Sequence, residues 1–411
     1  MSDNVYDELK ARGFVAQVSD EKALRKALGE ETVTFYIGFD GTAPSLHAGS
    51  LVPIMAMVHL RRAGHRAIAL IGNGTTMVGD PSGKSELRQM LDEATIRSYG
   101  ESIRAQLDRY LHFDGKGALP VDNAEWLLPL KYIEFLRDIG RHFSVNRMLA
   151  SEAYKLRLEK GLSFIEFNYQ LLQAYDYLVL FRRLGCTLQM GGDDQWGNIL
   201  AGVDLIRRVE GAKVEALTFP LMVTASGEKM GKTAQGAVWL DGGLISPYEF
   251  YQYWINTDDR DVGRFLRLFT MLPLEEIARL ESLKDREINE AKRILAFEAT
   301  KLAHGGQAAL EARAATGAAF GGEGGKDAEA LPTSAIPRAR LEAGISPAEL
   351  FTDVGLTSSR GEAKRLIKQG GLYVNDERID SLERLLTLKD AAAGGMLLKA
   401  GKKKIHRVVP E

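Results

Sequence analysis

Short apolar segments alternate with amphipathic ones near the start of the chain. The run TFYIGF at 34–39 predicts a buried strand, because it is mostly apolar and ends at the polar loop DGTAPS. A helix is predicted from about His47, with Gly64 just past its end, and the run RAIALIG at 66–72 predicts a second strand. A strand–helix–strand unit with short links indicates parallel strands, and ligands then bind where the strands end.

Two later regions show a helical period. It extends from about Glu86 to Phe113 and from Tyr132 to Leu184, whereas the residues around Asp114 to Pro120 are rich in turn formers. The run CTLQMGG at 186–192 predicts another buried strand, which enters a glycine-rich loop. These segments predict an α/β domain with a helical insertion at about 115–185.

A third region, from near Ile245 to about Ala315, is also predicted to be helical. It begins with Ser246 as the N-cap, Pro247 at the first helical position and Glu249 as the reciprocal capping residue. The segment at 321–344 has the glycine, proline and small polar content of a linker. A small mixed domain is predicted to follow it.

The composition narrows the class of protein. A chain of 411 residues predicts two or three domains, and a net charge of −2 argues against a protein that coats nucleic acid through its overall field. Cys186 is the only cysteine, which suits a reducing compartment, and its thiol is expected to be buried and unreactive. The polar N-terminus does not resemble a signal peptide, and no apolar run approaches the length of a membrane span. We therefore expect a cytoplasmic protein.

The segment YIGFDGTAPSLHAGS carries residues suited to phosphate binding. Gly38, Asp40 and Thr42 follow the first predicted strand, and His47 and Gly49 begin the helix. Free backbone amides at a helix start attract anions, and the side chains of His47 and Thr42 can donate hydrogen bonds to phosphate oxygens. The alternative is an ordinary helix start with a capping histidine.

A second cluster is the loop SGEKMGKT at 226–233. Its two lysines, Lys229 and Lys232, are mobile cationic donors suited to a polyphosphate whose charge redistributes during a reaction. The alternative is a pair of solvated surface lysines. The glycine and lysine spacing differs from that of a P-loop.

Taken together, the two clusters resemble the paired "HIGH" and "KMSKS" signatures of class I aminoacyl-tRNA synthetases, present here as HAGS and KMGKT. The segments VGDPSGKSELR, FNYQLLQAYD and QMGGDDQWGN are similar to bacterial tyrosyl-tRNA synthetases. The resemblance implies a Rossmann-like parallel-sheet catalytic domain, an α-helical anticodon-binding domain that starts with the KMSKS-type loop, and a small α+β RNA-binding domain. The expected limits are 1–225, with the insertion at about 115–185, then 226–320, a linker at 321–344, and 345–411.

Three residues at helical spacing, Tyr169, Gln173 and Asp176, are predicted to share one helix face. A solvated helix face is the alternative. The resemblance assigns them, with other positions, to tyrosine recognition. Tyr36 and Asp176 match residues that bind the substrate phenol, Asp80, Tyr169 and Gln173 match residues around its ammonium group, and Gln195 matches a residue near its carboxylate.

The same resemblance assigns an ATP site and a catalytic set. The residues matched to the ATP site are Gly38, Asp40, His47, Ser50, Gly192, Asp194 and Lys232. The residues matched to transition-state stabilisation are Thr42, His47, Lys229, Lys232 and Thr233, with Lys84 and Arg88 as weaker candidates. ATP is expected as a substrate, with Mg²⁺ bound through ATP and pyrophosphate and no dedicated protein metal site.

Two positions depart from the signatures of the class. Ser50 stands where the second histidine of the first signature is usual, and Gly231 replaces the serine of KMSKS. Both lysines of the second signature are present, so neither departure changes the assignment.

The segment SSRGEAKRLIKQGGLYVNDERI resembles an RNA-binding domain named after a ribosomal small-subunit protein. Arg360, Lys364, Arg365 and Lys368 are predicted near one helical face, a suitable track for phosphates, with a solvated helix as the alternative. The resemblance implies L-tyrosine, ATP and a tyrosine tRNA as partners, a homodimer, and no membrane association.

Two other functions compete with tyrosine activation. One is an RNA-binding paralogue that keeps the fold without catalysis. Against it stand the intact residues of the tyrosine pocket and the set of Thr42, His47, Lys229 and Lys232. The other is the tryptophan enzyme of the same class. Tyr36 and Asp176 disfavour that enzyme, because they supply the polar contact that a phenol requires.

Overall fold

The chain divides into two compact units. One comprises Met1–Leu244 and Thr257–Leu295, and the other comprises Ile245–Asn256 and Ala296–Glu411. The computed structural model describes residues 4–82, 91–150, 154, 158–159, 161–227, 230–233, 236–319, 331–391, 395–401 and 404–411.

The first unit contains a five-stranded parallel sheet. Its strands are β1 (Thr34–Phe39), β2 (Arg66–Ile71), β3 (Ala118–Asp122), β4 (Cys186–Gly192) and β5 (Glu215–Phe219), in the order β3-β2-β1-β4-β5. The predicted strands β1, β2 and β4 are therefore confirmed, and so is the parallel arrangement. In the register of the sheet, Tyr36 lies opposite Ile68 on β2 and Gln189 on β4.

Strand β3 corrects the prediction for residues 114–120. The turn formers there do make a turn, in which Oδ1 of Asp114 accepts hydrogen bonds from the backbone amides of Lys116 and Gly117. The chain then enters β3 at Ala118, so the first part of the predicted helical insertion is a strand. Pro120 is tolerated because β3 is an edge strand and the missing N–H removes no bond from an inner pair.

The first unit also contains helices before, between and after the strands of its sheet. They are Val5–Arg12, Glu21–Glu30, Leu51–Arg62, Asn73–Thr76, Glu93–Leu111, Ala124–Leu127, Tyr132–Asp138, Val145–Leu149, Phe164–Phe167, Tyr169–Leu184, Trp196–Glu210, Val262–Phe269 and Leu274–Glu281. The helix predicted from about Glu86 begins at Glu93 within the described residues, where Asp92 caps it by accepting from the amide of Thr95. The region from Tyr132 to Leu184, which was predicted to be helical, contains several short helices followed by one long helix.

Apolar packing fixes the helices that carry the site. Ala174 and Tyr177 of the helix Tyr169–Leu184 and Leu205 of the helix Trp196–Glu210 share a buried cluster with Tyr36 and Ile68 of the sheet. Cys186 belongs to the same cluster, which confirms a buried thiol, and its burial raises the pKa of the thiol well above the ordinary value. One face of the helix Tyr169–Leu184 is thus held against the sheet.

The second unit contains a mixed sheet. Its strands are β8 (Thr333–Ile336), β9 (Leu372–Val374), β10 (Glu377–Arg378), β11 (Met396–Ala400) and β12 (Lys404–Pro410), in the order β10-β9-β11-β12-β8; β6 (Lys232–Thr233) and β7 (Gly236–Ala237) pair separately in the first unit. Its helices are Pro247–Ile255, Gly306–Ala319, Arg338–Ala343, Pro347–Asp353 and Arg360–Lys368, and the helix Ile288–His304 spans the division between the units.

Two predictions concern this second unit. The cap at Ser246 is confirmed, because its Oγ accepts from the amide of Glu249 and Oε2 of Glu249 accepts from the amide of Ser246. The segment predicted as a linker differs from the structure, since β8 and the helix Arg338–Ala343 lie inside 321–344. They are structured because Ile336 and Leu341 are buried in the apolar core of the unit.

Within the described ranges, no helix is both long enough and apolar enough to cross a membrane.

Candidate functional site

A cavity of about 240 Å³ lies where β1 and β4 end in the first unit. The predicted site residues that line it are Tyr36, Gly38, Asp40, Ser50, Asp80, Tyr169, Gln173, Asp176, Gly192 and Gln195. They come from strands, loops, short turns and one long helix, so only the folded chain brings them together. The site is at the carboxyl ends of parallel strands, as the strand–helix–strand pattern predicts.

Asp176 is a buried carboxylate, 2 % exposed, on the long helix. Its Oδ1 accepts from Nε1 of Trp126 at 2.8 Å, and its Oδ2 accepts from Nδ2 of Asn123 at 3.0 Å. Burial raises the pKa of Asp176 to about 7, and the two hydrogen bonds oppose that rise. Asp176 therefore titrates near neutral pH, in an orientation fixed by two neutral donors.

Tyr36 places a hydroxyl in the same cavity wall. The residue is 1 % exposed, and its Oη has no hydrogen-bond partner among the described residues. Its ring packs against Tyr177 with the centroids 5.4 Å apart. Burial, followed by the nearby charge of Asp176, raises the pKa of the phenol well above its ordinary value, so the group is a neutral donor. An unpaired buried hydroxyl is unfavourable, and a polar ligand atom would satisfy it.

A network of amides surrounds Asp80. Nε2 of Gln195 donates to Oδ2 of Asp80 at 2.7 Å, and Nδ2 of Asn198 lies 3.1 Å from Oε1 of Gln173 and 3.2 Å from Oε1 of Gln195. These bonds orient the side chains around one carboxylate. Gln195 is a neutral donor, so it orients the carboxylate of Asp80 without neutralising its charge, and a cationic ligand group would complement that charge.

A hydrogen bond connects the two parts of the predicted site. Oη of Tyr169 donates to Oδ2 of Asp40 at 3.1 Å, and Oγ1 of Thr75 donates to Oδ1 of Asp40 at 2.9 Å. The resemblance assigns Tyr169 to the amino acid and Asp40 to ATP. The two binding regions are therefore contiguous.

The two signature segments also meet. Nδ1 of His47 accepts from the amide of Gly49 at 3.0 Å, so the capping role of His47 is present. The amide of Ala48 donates to the carbonyl of Val238 at 2.7 Å, and Met230 is buried. A Cβ added to Gly231 would lie 2.7 Å from Nδ1 of His47. The segment that follows Met230 thus packs directly on the helix start.

Other predicted residues lie outside this cavity. Thr42 is exposed, and His47 contributes to the contact described above without lining the cavity. Asp194 lines a larger cavity of about 620 Å³ with Trp196 and Leu221. Lys84, Arg88 and Lys229 lie outside the described residues, and only the backbone of Lys232 and Thr233 is described.

Sequence reasoning missed several residues that shape the cavity. Asn123 and Trp126 hold Asp176, Asn123 also donates to Oγ1 of Thr75, and Gln189 lines the cavity beside Tyr36. These residues were missed because the sequence did not predict strand β3. Once residues 118–122 are recognised as a strand, the polar residue that follows it becomes a candidate, since it ends at the same sheet edge.

The predicted RNA-binding residues lie in the second unit. Arg360, Lys364, Arg365 and Lys368 are all exposed on the helix Arg360–Lys368, while Ala363 and Ile367 of that helix are buried in the core of the unit. Arg360 also lies 3.6 Å from Glu349. The four cations are thus available to solvent.

Comparisons with known proteins show the family of the chain. The family model of class I tRNA synthetases (W and Y) matches residues 28–321, and a tyrosine–tRNA ligase C-terminal domain model matches residues 329–408. The chain is 56 % identical to a tyrosine–tRNA ligase of Syntrophus aciditrophicus over 98 % of this chain and 97 % of the relative. It is 54 % identical to one of Desulfatibacillum aliphaticivorans over 100 % of this chain and 99 % of the relative.

Solved structures give the same fold. A C-terminally truncated mitochondrial tyrosyl-tRNA synthetase of Aspergillus nidulans superposes with a TM-score of 0.68 at 30 % identity, over 75 % of this chain and 92 % of that chain. A tryptophanyl-tRNA synthetase of Encephalitozoon cuniculi, 15 % identical with a TM-score of 0.57 over 75 % of this chain and 88 % of that chain, shares the fold. The predicted fold class is confirmed, and the chain belongs to the tryptophan and tyrosine family of class I tRNA synthetases.

Proposed function

We propose that this chain is an ATP-dependent tyrosine–tRNA ligase. It converts L-tyrosine and ATP to tyrosyl-adenylate and pyrophosphate, and then transfers tyrosine to the 3′-terminal adenosine of its tRNA. The observation that carries the proposal is the pairing of Asp176, oriented by Asn123 and Trp126, with the unpartnered hydroxyl of Tyr36 in one cavity. The full-length relatives named tyrosine–tRNA ligase support the same function.

The phenol of tyrosine complements this pair. Its O–H donates to the carboxylate of Asp176, and its oxygen accepts from the hydroxyl of Tyr36. Phenylalanine offers neither interaction, so it would leave a buried acceptor and a buried donor unpaired. Leaving buried polar groups unpaired costs about 1–3 kcal/mol for each group, which favours tyrosine over phenylalanine.

The other end of the amino acid is proposed to bind at the amide network. The ammonium group pairs with Asp80 and is surrounded by Tyr169 and Gln173, while Gln195 lies near the carboxylate. The hydrogen bonds from Gln195 to Asp80 and from Asn198 to Gln173 support this arrangement, because they fix the side chains before the substrate binds.

The first reaction step needs no nucleophile from the protein. A carboxylate oxygen of tyrosine forms a bond to the α-phosphorus of ATP, and the bond from that phosphorus to the pyrophosphate oxygen breaks. We propose that Gly38, Asp40 and Gly192 contact the nucleotide, with Ser50 and Asp194 beside them. His47, Thr42, Lys229, Lys232 and Thr233 are proposed to stabilise the charge that develops on pyrophosphate.

Magnesium is proposed to enter with ATP. Among the residues with described positions, no group of three or more His, Cys, Asp or Glu side chains is close enough to hold a metal ion, so the ligands would come from the phosphates. The ion would neutralise phosphate charge when bound. Orientation of the two substrates remains the task of the side chains described above.

The second unit is proposed to bind tRNA. The exposed cations Arg360, Lys364, Arg365 and Lys368 support this, since they offer a positive surface to phosphates. We propose that residues 345–411 form the RNA-binding domain and that 1–225 form the catalytic domain. The anticodon-binding helices are proposed to lie within 226–320, a range that is divided between the two units. Because its substrates are ATP and tRNA, we propose a cytoplasmic location.

A homodimer is proposed from an exposed apolar surface in the first unit. Ile133 is 73 % exposed and Phe164 is 71 % exposed, although both are large apolar side chains. Other exposed apolar residues in the same stretch of chain are Leu128, Tyr132, Leu136, Val145, Leu158 and Ile165. A set of this kind is typical of a subunit interface.

Tyrosine-dependent exchange of labelled pyrophosphate into ATP tests the catalytic proposal. We expect exchange with tyrosine and far less with phenylalanine or tryptophan. A folded chain that binds tRNA but shows no exchange would instead be the catalytically inactive RNA-binding paralogue. Exchange that depends on tryptophan would identify the tryptophan enzyme.

A further inference from the structure

The two signature segments contact each other through a pair of glycines. A Cβ added to Gly231 would lie 2.7 Å from Nδ1 of His47 and 2.8 Å from the backbone nitrogen of Gly49. A Cβ added to Gly49 would lie 2.9 Å from the carbonyl oxygen of Met230. These separations are shorter than van der Waals contact, so the two backbones approach each other only because both positions lack a side chain.

The surrounding hydrogen bonds hold this approach in place. The amide of Met230 donates to the carbonyl of Met222 at 3.0 Å, and the amide of Val238 donates to the carbonyl of Gly231 at 2.8 Å. The amide of Ala48 donates to Val238 at 2.7 Å, next to a backbone pairing of His47 with Trp239. The segment on both sides of Gly231 is therefore fastened close to the helix start.

We infer that Gly231 is a positioning residue for ATP activation, which rests on the proposed function. Its missing side chain lets the KMGKT segment lie on the backbone amides of Ala48 and Gly49. This contact fixes the position of the backbone of Lys232, the next residue. The serine of the KMSKS pattern would not fit at this position. Tyr36 and Asp176 belong to other elements, so the amino-acid pocket should be independent of the contact.

Backbone conformation is a second reason for glycine at this position, and it needs a separate control. Gly231 has φ of +79°, where a residue with a Cβ is strained whatever the surrounding space. Gly227 on the same loop has φ of +85°, and a Cβ added there would meet nothing within 4 Å. Gly227→Ala thus introduces similar backbone strain without the steric overlap.

The experiment compares Gly231→Ala, Gly231→Ser and Gly227→Ala in the full chain. Steady-state pyrophosphate exchange gives kcat and KM for ATP, and equilibrium dialysis with labelled tyrosine gives its Kd. We expect kcat/KM for ATP to fall at least tenfold further in both Gly231 variants than in Gly227→Ala. The Kd for tyrosine should stay within about twofold of the unaltered chain in all three variants. Overpacking at Gly231 displaces the KMGKT segment proposed to bind ATP and leaves the tyrosine pocket in place.

Two results would overturn the inference. Equal ATP parameters in Gly231→Ala and Gly227→Ala would mean that strain alone explains the glycine. Loss of tyrosine binding in Gly231→Ala, with a Tm well below that of Gly227→Ala, would mean that the contact holds the fold and not the ATP site. Absence of exchange in the unaltered chain would instead refute the proposed function, and this inference with it.

Discussion

The hydroxyl of Tyr169 donates a hydrogen bond to Oδ2 of Asp40 over 3.1 Å. Tyr169 begins the long helix Tyr169–Leu184, whereas Asp40 directly follows β1, so this bond joins a residue assigned to the amino acid to one assigned to the nucleotide. A substitution at Tyr169 should therefore weaken the binding of both tyrosine and ATP.

Tyr169→Phe removes this donor and keeps the ring. We expect KM to rise for tyrosine and for ATP, each by roughly threefold to tenfold. A hydrogen bond to a carboxylate contributes about 1.5–3 kcal/mol, and its loss here is divided between the binding of the two substrates. Pyrophosphate exchange at varied concentrations of each substrate measures both constants. Tyr175→Phe on the same helix is the control, and a rise in KM for tyrosine alone would contradict the link.

Asp176→Asn is expected to reduce tyrosine activation about 100-fold, since a charged acceptor for the phenol is lost. The free energy of unfolding of this variant should rise at neutral pH, although its activity falls. The pKa of Asp176 is about 7 in the folded chain and ordinary in the unfolded chain, so the unaltered protein loses stability as pH rises from about 4 to 7.

Urea unfolding at several pH values measures this difference. Asp176→Asn should be more stable than the unaltered chain above pH 7, by on the order of 4 kcal/mol, and the gain should disappear below about pH 4. A variant that is less stable at pH 8 would contradict the cost assigned to the buried carboxylate.

Trp126→Phe removes one of the two bonds that oppose the raised pKa of Asp176. We expect the midpoint at which kcat/KM for tyrosine falls on acidification to move to higher pH, because the charged form loses a donor. The pH profile of tyrosine-dependent exchange is the measurement. An unchanged midpoint with a uniformly lower rate would show that Trp126 acts only through packing.

Ile133→Glu tests the proposed dimer. A charge at the centre of an apolar interface should weaken self-association at least tenfold, which sedimentation velocity over a range of concentrations detects. Leu310→Glu is the matched control, since Leu310 is also an exposed, large aliphatic residue but lies in the second unit. Equal self-association in both variants would place the interface elsewhere.

The double change Lys364→Glu with Arg365→Glu tests tRNA binding. We expect KM for tRNA to rise about tenfold in aminoacylation and its salt dependence to weaken, while pyrophosphate exchange stays the same. Lys389→Glu changes another exposed lysine of the same unit and should have little effect. A fall in exchange would indicate damage to the first unit instead.

Much of the site was accessible from sequence because its residues follow predictable strands or share a helical period. Tyr36 ends up beside Asp176 because β1 and the helix at Tyr169–Leu184 were both correctly predicted and their packing is apolar. Asn123 was not found, since β3 is short, contains a proline and pairs on one side only, so its pattern resembles a turn. The close approach at Gly231 was also inaccessible, because it depends on distances between distant segments.

Strand β3 has a consequence for the accuracy of translation. Asn123, the first residue after this strand, donates from one amide nitrogen to both Asp176 and Thr75 and accepts from the amide of Gly74. Small shifts of this edge strand would therefore turn the carboxylate of Asp176, which is proposed to distinguish tyrosine from phenylalanine. Substitutions at Pro120, which does not line the cavity, should appear first as misincorporated phenylalanine and only later as loss of folded protein.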